Sequence, residues 1–336
     1  MPSSRSAAGR PIAERAFHAW LARTLPAGRT GTLPLGDDAA ALTPPPGRVA
    51  VLTTDALIEG THFLAASAPA DLGAASVGVS LSDLAAKGAH PAGVLIALVV
   101  PPGTPARWAE RLLRGAERAA ARAGTHVIGG DTKPGPVATV VSTAVGWARP
   151  GRLPRRGGAR PGDLLVTTGT VGRGGRAAEE LARDGATPAA LRHLLAVAPR
   201  LAAGAALARW ATAQLDTSDG LADATWLLAT ASRARAVLDE RAFPLARGLA
   251  ELPTPRRRAV AFYGGDYELL AAVPAGRWAA ARAAVARTRT PIAVVGRIER
   301  GRGAILATPD GRVPLPRAGW RPFAPGPRRR AGRRIR

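Results

Sequence analysis

Hydrophobic and polar residues alternate along the chain in blocks that predict strands and helices in turn. Short apolar runs are typical of buried strands, and longer stretches with apolar residues at helical spacing are typical of amphipathic helices. The predicted strands are residues 49–52, 94–100, 137–145, 164–168 and 292–295 with a short one ending at 128, and the predicted helices are 11–25, 71–87, 105–123, 200–211, 221–233 and 275–287, with a further helix through 179–181. Strand–loop–helix units therefore occur in both halves, which indicates an α/β (α+β) fold.

Chain length and local composition predict two domains. A chain of 336 residues buries a sizeable core and is most economically divided in two. Residues 148–162 are dense in Arg, Pro and Gly, so we place the boundary there, with an N-terminal domain at 1–148 and a C-terminal domain at 149–323. The Arg-rich residues 324–336 are interpreted as a disordered, solvated tail rather than a binding arm.

The composition favours a cytoplasmic protein. The longest apolar run, residues 94–100, is far shorter than the roughly 20 residues of a membrane-spanning helix. The N-terminus lacks the apolar core of a secretory signal. The chain has no cysteine, which excludes disulfides, thiolate metal ligands and thiol nucleophiles.

The net charge of +23 raises the possibility of nucleic-acid binding. Only Lys87 and Lys133 of the 47 basic residues are lysine, and the chain is also crowded with Ala, Gly and Pro. This preference for arginine over lysine indicates the base composition of the genome rather than a basic surface selected for binding, so we expect no nucleic-acid partner. The alternative that stays open is a non-catalytic basic protein that binds nucleotide or nucleic acid.

Aspartates recur beside Gly, Ser or Thr at points where apolar segments begin or stop. The set is Asp38, Asp55, Asp83, Asp131, Asp216 and Asp219. Any one of them is explained by a turn or a helix cap. If the loops converge, however, the carboxylates repel one another unless cations lie among them. Hard oxygen ligands suit Mg²⁺ shared with substrate phosphates, and phosphoryl transfer needs such a cluster.

Two further features leave alternatives open. His62 follows the Asp55 segment and is equally well read as a structural histidine or as a phosphate donor or base. The glycine-rich residues 169–175 lie between a strand and a helix, where they could cradle phosphate or form a tight turn. No Walker A lysine and no kinase catalytic loop is present in the sequence.

Sequence motifs in a fixed order resemble the thiamine-monophosphate kinase family, in the aminoimidazole ribonucleotide synthetase-like superfamily. They are GDDAA, TTDALIEGTHF, SLSDLAAKGAHP, IGGDT, GARPGD, DTSDGLAD and GGDYEL, within residues 12–323. The resemblance implies ATP-dependent phosphorylation of thiamine monophosphate to thiamine diphosphate, by direct in-line transfer with several Mg²⁺ ions. It also implies two α/β domains with ATP in the cleft between them, and a homodimer formed by the N-terminal sheets.

The same resemblance implies roles for individual residues. The metal ligands would be Asp38, Thr53, Thr54, Asp55, Asp83, Asp131, Asp216 and Asp219, and Asp55 and Asp219 are expected to be essential to catalysis. The nucleotide contacts would be Gly130, Asp131, Arg156 and Ser218. His62 would contact the substrate, and Trp320 lies near the expected aromatic substrate wall.

The chain departs from the family pattern in several places. The usual GGEDYEL reads GGDYEL here, so Gly265 replaces an acidic substrate contact, and we expect Asp266 to take over that contact after a small backbone shift. Ala75, Ser80, Lys87 and Pro134 stand where Lys, Asn, Met and Arg are usual. Related enzymes of the superfamily that depend on a terminal cysteine or selenocysteine are excluded, because this chain has neither.

Overall fold

The structure is a computed structural model, and it describes residues 11–25, 33 and 38–320. The predicted tail at 324–336 and the Gly36–Asp37 part of the first motif lie outside the described residues. The helices are α1 Glu14–Thr24, α2 Pro69–Ala86, α3 Ala106–Arg122, α4 Arg173–Asp184, α5 Pro188–Leu194, α6 Leu201–Leu207, α7 Leu221–Ser232, α8 Thr254–Ala261 and α9 Trp278–Ala286. The strands are β1 Val49–Ile58, β2 His90–Val100, β3 Val127–Pro134, β4 Thr139–Ala148, β5 Asp163–Thr168, β6 Ala213–Asp216, β7 Arg235–Asp239, β8 Leu269–Pro274, β9 Ile292–Glu299, β10 Gly303–Thr308 and β11 Gly311–Pro314.

These strands form two mixed sheets, which confirms the predicted α/β (α+β) class. The first sheet has the order β1-β4-β2-β3, and the second has the order β11-β10-β7-β9-β5-β8-β6. Both sheets contain parallel and antiparallel neighbours. The first sheet is therefore built before residue 149 and the second after residue 162. Within the described residues, no helix combines the length and the hydropathy needed to cross a membrane.

Helix α2 is the central element of the N-terminal half. It is rich in small and apolar residues, and most of its side chains are buried. A Cβ on Gly73 would lie 1.9 Å from the carbonyl oxygen of Leu112, and one on Gly115 would lie 2.1 Å from that of Ala70. These glycines therefore allow α2 and α3 to pack with their backbones in contact. On its other side α2 covers the first sheet, where the Ser142 hydroxyl of β4 donates a hydrogen bond to the Ser76 carbonyl.

The C-terminal end of α2 is docked against the second half of the chain. The side-chain amide of Gln214, at β6, donates to the Ala85 carbonyl at 3.2 Å and to the Ala86 carbonyl at 3.3 Å. A Cβ on Gly204 of α6 would lie 2.0 Å from the Ala85 carbonyl oxygen. Close backbone packing and buried hydrogen bonds therefore fix the helix that carries Asp83 relative to the strand that carries Asp216.

The second sheet is covered on both faces. One face packs with α7 and α8 around Leu215, Leu228 and Phe262. The other packs with α6 and α9 around Leu207, Leu269 and Val285. Because β5 and β8 lie inside this sheet, most of their residues are buried on both faces.

Several predicted boundaries were wrong, and each error concerns a motif. Residues Thr53–Asp55 lie in the middle of β1 rather than at its end, and residues 129–132 lie within β3 rather than in a loop. In both cases polar residues continue a strand because one face of the first sheet is not an apolar core. Leu52 on that face is 63% exposed, whereas Asp55 points to the face that α2 covers. Strands β6, β7, β8, β10 and β11 and helices α5 and α8 were not predicted.

Candidate active site

A cavity of about 580 Å³ lies between the first sheet, α2 and the loops of the C-terminal half. Its volume falls in the usual range of small-molecule sites, about 300–1,000 Å³. One end of the cavity is acidic and the other is apolar and aromatic. The predicted site residues that line it are Asp55, His62, Asp83, Asp216, Ser218, Asp219 and Trp320.

Different elements deliver the carboxylates to the acidic end. Asp55 is an inward residue of β1, and its register partner is Ser142 of β4, whose hydroxyl contacts α2. Asp83 lies on α2, one turn before the helix ends. Asp216 is the last residue of β6, and Asp219 lies in the turn that leads into α7. The fold therefore brings together acidic residues that are up to 164 positions apart in the sequence, from Asp55 to Asp219.

Hydroxyl groups contact three of these carboxylates, and the Ser80 hydroxyl is the one beside Asp55. The Thr53 hydroxyl donates a short hydrogen bond to Asp83. The hydroxyls of Ser82 and Ser218 donate to the two oxygens of Asp216, at 2.9 Å and 3.2 Å. In contrast, the buried Oδ2 of Asp55 has no hydrogen-bond partner among the residues that the structure describes. An unpaired buried carboxylate oxygen is costly, and it calls for a cation or donor supplied by a ligand.

The carboxylates disturb one another's ionisation. Burial, and then repulsion from Asp83, raises the pKa of Asp55 to about 6. The same two causes, in the same order, raise the pKa of Asp216 to about 6. Burial and the nearby Asp223 raise the pKa of Asp219. Protein groups alone therefore do not neutralise this end of the cavity, as expected for a site that takes up cations.

Basic residues stand beside the acidic cluster, and one of them was missed as a functional residue. The Lys87 ammonium, at the end of α2, lies 3.4 Å from the carbonyl oxygens of Pro154 and Gln214. Burial, followed by the charge of Arg156, lowers its pKa, and Asp83 and Asp216 act in the opposite direction. Arg156 also lies close enough to Asp219 to favour its charged form. Lys87 stood out in the sequence only as a replacement of the usual Met.

The site fits Mg²⁺ better than a metal enclosed wholly by protein. In the described ranges, no three acidic or histidine side chains are grouped closely enough to hold one ion by themselves. Mg²⁺ usually keeps several waters and uses one or two carboxylates together with substrate phosphates. The unpartnered Asp55 oxygen and the hard, all-oxygen donor set agree with that mode of binding.

The remaining predicted metal ligands lie elsewhere. Across the first sheet, Asp55 pairs with Ser142, and Ser142 pairs with Ile96 of β2. Asp131 pairs with Ala97, the residue after Ile96. Because successive residues of a strand point to opposite faces, Asp131 lies on the opposite face of the sheet from Asp55. Its carboxylate contacts the Lys133 ammonium at 3.0 Å.

Asp38 is exposed, and it does not line the cavity. Thr54 also points away, with its hydroxyl 3.0 Å from that of Thr143. Gly130 is required by packing, since a Cβ there would lie 1.9 Å from the Ile96 carbonyl oxygen.

His62 and Trp320 form an aromatic part of the cavity wall. Their ring centroids are 5.8 Å apart, with the planes inclined at 45°. His62 Nδ1 accepts a hydrogen bond from the Ile58 amide at 3.1 Å, so the neutral ring carries its proton on Nε2. Burial lowers the pKa of His62. The Trp320 amide donates to the Asp219 carbonyl at 3.1 Å, which links the aromatic wall to the acidic cluster.

Asp266 does not reach the cavity. Its two carboxylate oxygens accept hydrogen bonds from the amides of Gly172 at 2.7 Å and Gly174 at 2.9 Å. The geometry therefore does not support the predicted substrate contact, because this carboxylate is already occupied. This contact also favours a structural role for the glycine-rich residues 169–175, since these amides bind the protein's own carboxylate instead of a phosphate. Gly265 lines the cavity in its place.

Comparisons with known proteins identify relatives of this chain. The models of the AIR synthase related protein, N-terminal domain and C-terminal domain, match residues 36–148 and 160–307. A thiamine-monophosphate kinase from Caulobacter vibrioides is 35% identical over 327 residues, covering 93% of this chain and 92% of that protein.

Solved structures give the same relationship. The crystal structure of thiamine-monophosphate kinase from Stenotrophomonas maltophilia K279a has a TM-score of 0.77 and 31% identity, covering 88% of this chain and 97% of that one. The protein AaThiL, solved in complex with AMPPCP and TMP, has a TM-score of 0.71 and 28% identity, covering 83% and 88%.

Proposed function

The chain belongs to the thiamine-monophosphate kinase family of AIR synthase related proteins, and from that premise we propose that it transfers the γ-phosphoryl group of ATP to thiamine monophosphate. The product would be thiamine diphosphate. A relative that binds AMPPCP, an ATP analogue, together with TMP supports both substrates. The observation that carries the proposal is the cavity itself, in which an acidic end meets an apolar and aromatic end.

The two ends of the cavity suit the two parts of the reaction. The phosphate groups would lie at the acidic end, with Mg²⁺ held by Asp55, Asp83, Asp216 and Asp219. Bound Mg²⁺ would neutralise phosphate charge and so reduce the repulsion between donor and acceptor. The aromatic and apolar wall would hold the organic part of thiamine monophosphate, with His62 and Trp320 on one side. Other members of this wall include Phe63, Leu64, Leu195, Val197, Tyr263 and Tyr267.

Direct in-line transfer needs little from the protein beyond positioning. The acceptor is a phosphate oxygen, which is already anionic near neutral pH, so no general base has to remove a proton from it. This agrees with the position of His62, on the aromatic wall and hydrogen-bonded to the Ile58 amide. Ser218 and Arg156 stand beside the acidic cluster, where they would contact nucleotide phosphates. Family resemblance alone supports Asp38, Thr54, Gly130 and Asp131 as further ligands.

We also propose the assembly and the setting of this enzyme. The uncovered face of the first sheet carries apolar Leu52, at 63% exposure, which favours a homodimer formed by two such faces. The N-terminal domain at 1–148 would supply that face and part of the Mg²⁺ site, and the domain at 149–323 would complete the nucleotide and substrate site. A cytoplasmic location is proposed from the sequence.

Product formation tests the proposal. Purified protein with ATP, Mg²⁺ and thiamine monophosphate is expected to yield thiamine diphosphate and ADP in equal amounts, measured by chromatography. Asp219→Asn is expected to remove this activity, and Asp310→Asn, at an exposed turn remote from the cavity, is expected to retain it. Absence of product from the wild type, together with salt-sensitive DNA binding, would favour the non-catalytic basic protein instead.

A further inference from the structure

We propose that the ion pair between buried Glu268 and partly buried Arg200 positions two stretches of the cavity wall for the acceptor substrate. This inference rests on the proposed function, because it concerns how the cavity recognises thiamine monophosphate. Neither residue lines the cavity, so both would act through the residues they hold.

The pair is built as a rigid contact. The Arg200 guanidinium donates to both carboxylate oxygens of Glu268, at 2.7 Å and 2.5 Å, and the Thr168 hydroxyl donates to the same carboxylate at 2.8 Å. Glu268 is 4% exposed. A Cβ on Gly169 would lie 1.9 Å from its Oε1, so the backbone at Gly169 makes room for the carboxylate. Bidentate pairs of this kind are specific in direction as well as strong.

One end of the pair fixes Tyr267. This residue lines the cavity and packs against the core of the N-terminal half, yet its backbone has φ 53°. A left-handed conformation is unfavourable for a residue that carries a side chain, so its neighbours must impose it. On one side is Asp266, held by two backbone amides, and on the other is Glu268. Tyr267 is therefore held in the cavity by a fixed carboxylate on each side.

The other end fixes the link between α5 and α6. Arg200 is the residue before α6, and Leu195 and Val197 in the same link line the cavity. Val197 packs on α2 at Gly78, where a Cβ would lie 2.8 Å from the Val197 Cβ. The link is thus pressed against α2 at one point and tied to the second sheet at the other. Losing the ion pair would release the link and Tyr267 together.

The chain contains a second ion pair that serves as a control. Arg258 donates to both oxygens of Glu240, at 2.8 Å and 2.6 Å, and Glu240 is likewise buried. The pair lies in the same half of the chain, but neither residue nor its sequence neighbours line the cavity. The two pairs match in geometry and differ in what they hold. Comparing them separates a positioning role from a general contribution to stability.

The test compares Glu268→Gln and Arg200→Lys with Glu240→Gln and Arg258→Lys. All four variants are expected to unfold at a lower temperature than the wild type. Only the first two are expected to raise the KM for thiamine monophosphate, by roughly tenfold, because small displacements of a substrate-positioning wall are costly. Their KM for ATP is expected to rise less, because Tyr267 borders the acidic cluster but Leu195 and Val197 belong to the apolar part of the wall.

The outcomes distinguish a failure of the proposed function from a failure of the positioning role alone. An inactive wild type contradicts the proposed function. If the wild type is active, three results contradict the positioning role alone. The first is a Glu268→Gln variant that keeps its KM for thiamine monophosphate. The others are an equal rise in both KM values and an equal effect of Glu240→Gln. If Glu268→Gln does not fold, Arg200→Lys decides, because lysine keeps the charge but cannot reproduce the planar, two-point contact.

Discussion

Two carboxylates, Asp55 and Asp266, have similarly raised pKa values but differ in their exposure and in their hydrogen-bond partners. Burial is the main cause that raises the pKa of each to about 6. Asp266 accepts hydrogen bonds from two backbone amides, whereas Asp55 has a buried oxygen without a partner in the described residues. A raised pKa therefore does not by itself mark a functional carboxylate. The hydrogen-bond partners distinguish a carboxylate that completes the fold from one that awaits a ligand.

The surroundings of the two residues explain the difference. Asp266 meets amides at the start of α4, where partial positive charge favours a carboxylate. Asp55 meets Asp83 and Asp219, which repel it. The fold thus gives one carboxylate partners on both oxygens and leaves one oxygen of the other without a partner in the described residues. Substitutions at the two positions are therefore expected to act on different properties of the enzyme.

Asp55→Asn is expected to have the largest effect on activity. If Asp55 holds Mg²⁺ on the reacting phosphates as proposed, its loss should lower kcat/KM by at least about 10³-fold. The metal-free protein should unfold at an equal or higher temperature than the wild type, because a charge repelled by its neighbours is removed. Assays with saturating Mg²⁺ and calorimetric unfolding without metal measure the two effects. A stable, fully active variant would refute the role of Asp55 in the site.

Asp266→Ala is expected to affect stability first. It leaves the buried amides of Gly172 and Gly174 without an acceptor, and each such group costs about 1–3 kcal/mol. We expect the free energy of unfolding to fall by about 2–5 kcal/mol and the KM for thiamine monophosphate to rise together with this loss, because Asp266 is one of the two carboxylates that hold Tyr267. Asp266→Asn, which keeps one acceptor oxygen, should lose less. A variant of normal stability with a raised KM for thiamine monophosphate alone would restore Asp266 as a substrate contact.

The sequence predicted the fold class and most helices because local periodicity carries that information. It failed where strand character depends on a distant neighbour. Residues Thr53–Asp55 are polar, but they belong to a strand because β4 pairs with them in register. Strands β10 and β11 are short and partly exposed, so their sequences show little periodicity.

The site could be predicted only in part, for a related reason. Motif order identified the residues of the acidic end, and the fold brings Asp55, Asp83, Asp216 and Asp219 to one cavity. Motif order did not predict that Asp131 lies on the other face of the sheet, because a one-residue shift along a strand reverses the direction of a side chain. Nor did it show that Asp266 is occupied by the glycine-rich loop, which requires three-dimensional contacts across about 90 residues.

The pH dependence of metal binding should also distinguish the acidic cluster from Asp266. Mg²⁺ requires ionised carboxylates, and the pKa values of Asp55 and Asp216 are about 6 without metal. Below pH 6 each of them is mostly protonated, so Mg²⁺ affinity should fall about tenfold per essential carboxylate between pH 7 and pH 5. Titration calorimetry at several pH values measures this. An affinity independent of pH in this range would contradict the assignment.

The stability of the metal-free protein should change with pH in the direction opposite to its Mg²⁺ affinity. Because the folded state raises the pKa of Asp55 from 3.8 to about 6, it binds more protons than the unfolded state between these values. The contribution of Asp55 to stability therefore falls as pH rises from about 4 to about 6 and is constant above that. The difference in unfolding free energy between wild type and Asp55→Asn isolates this residue from other titrating groups. Mg²⁺ should remove the trend, since it favours the ionised form.

Lys87→Met is expected to have the smallest effect, and it tests whether nearby positive charge restrains the cluster. The Lys87 ammonium is buried close to Asp83 and Asp216, so it partly neutralises the end of the cavity where a cation would bind. Removing it should tighten Mg²⁺ binding by about fivefold, or about 1 kcal/mol, because one repelling positive charge is lost and solvent and counterions screen most of the interaction. Lys87→Arg keeps the charge and should bind Mg²⁺ like the wild type. Weaker binding to Lys87→Met would mean that Lys87 supports the cluster through its contacts with the Pro154 and Gln214 carbonyls, and that its charge does not limit metal uptake.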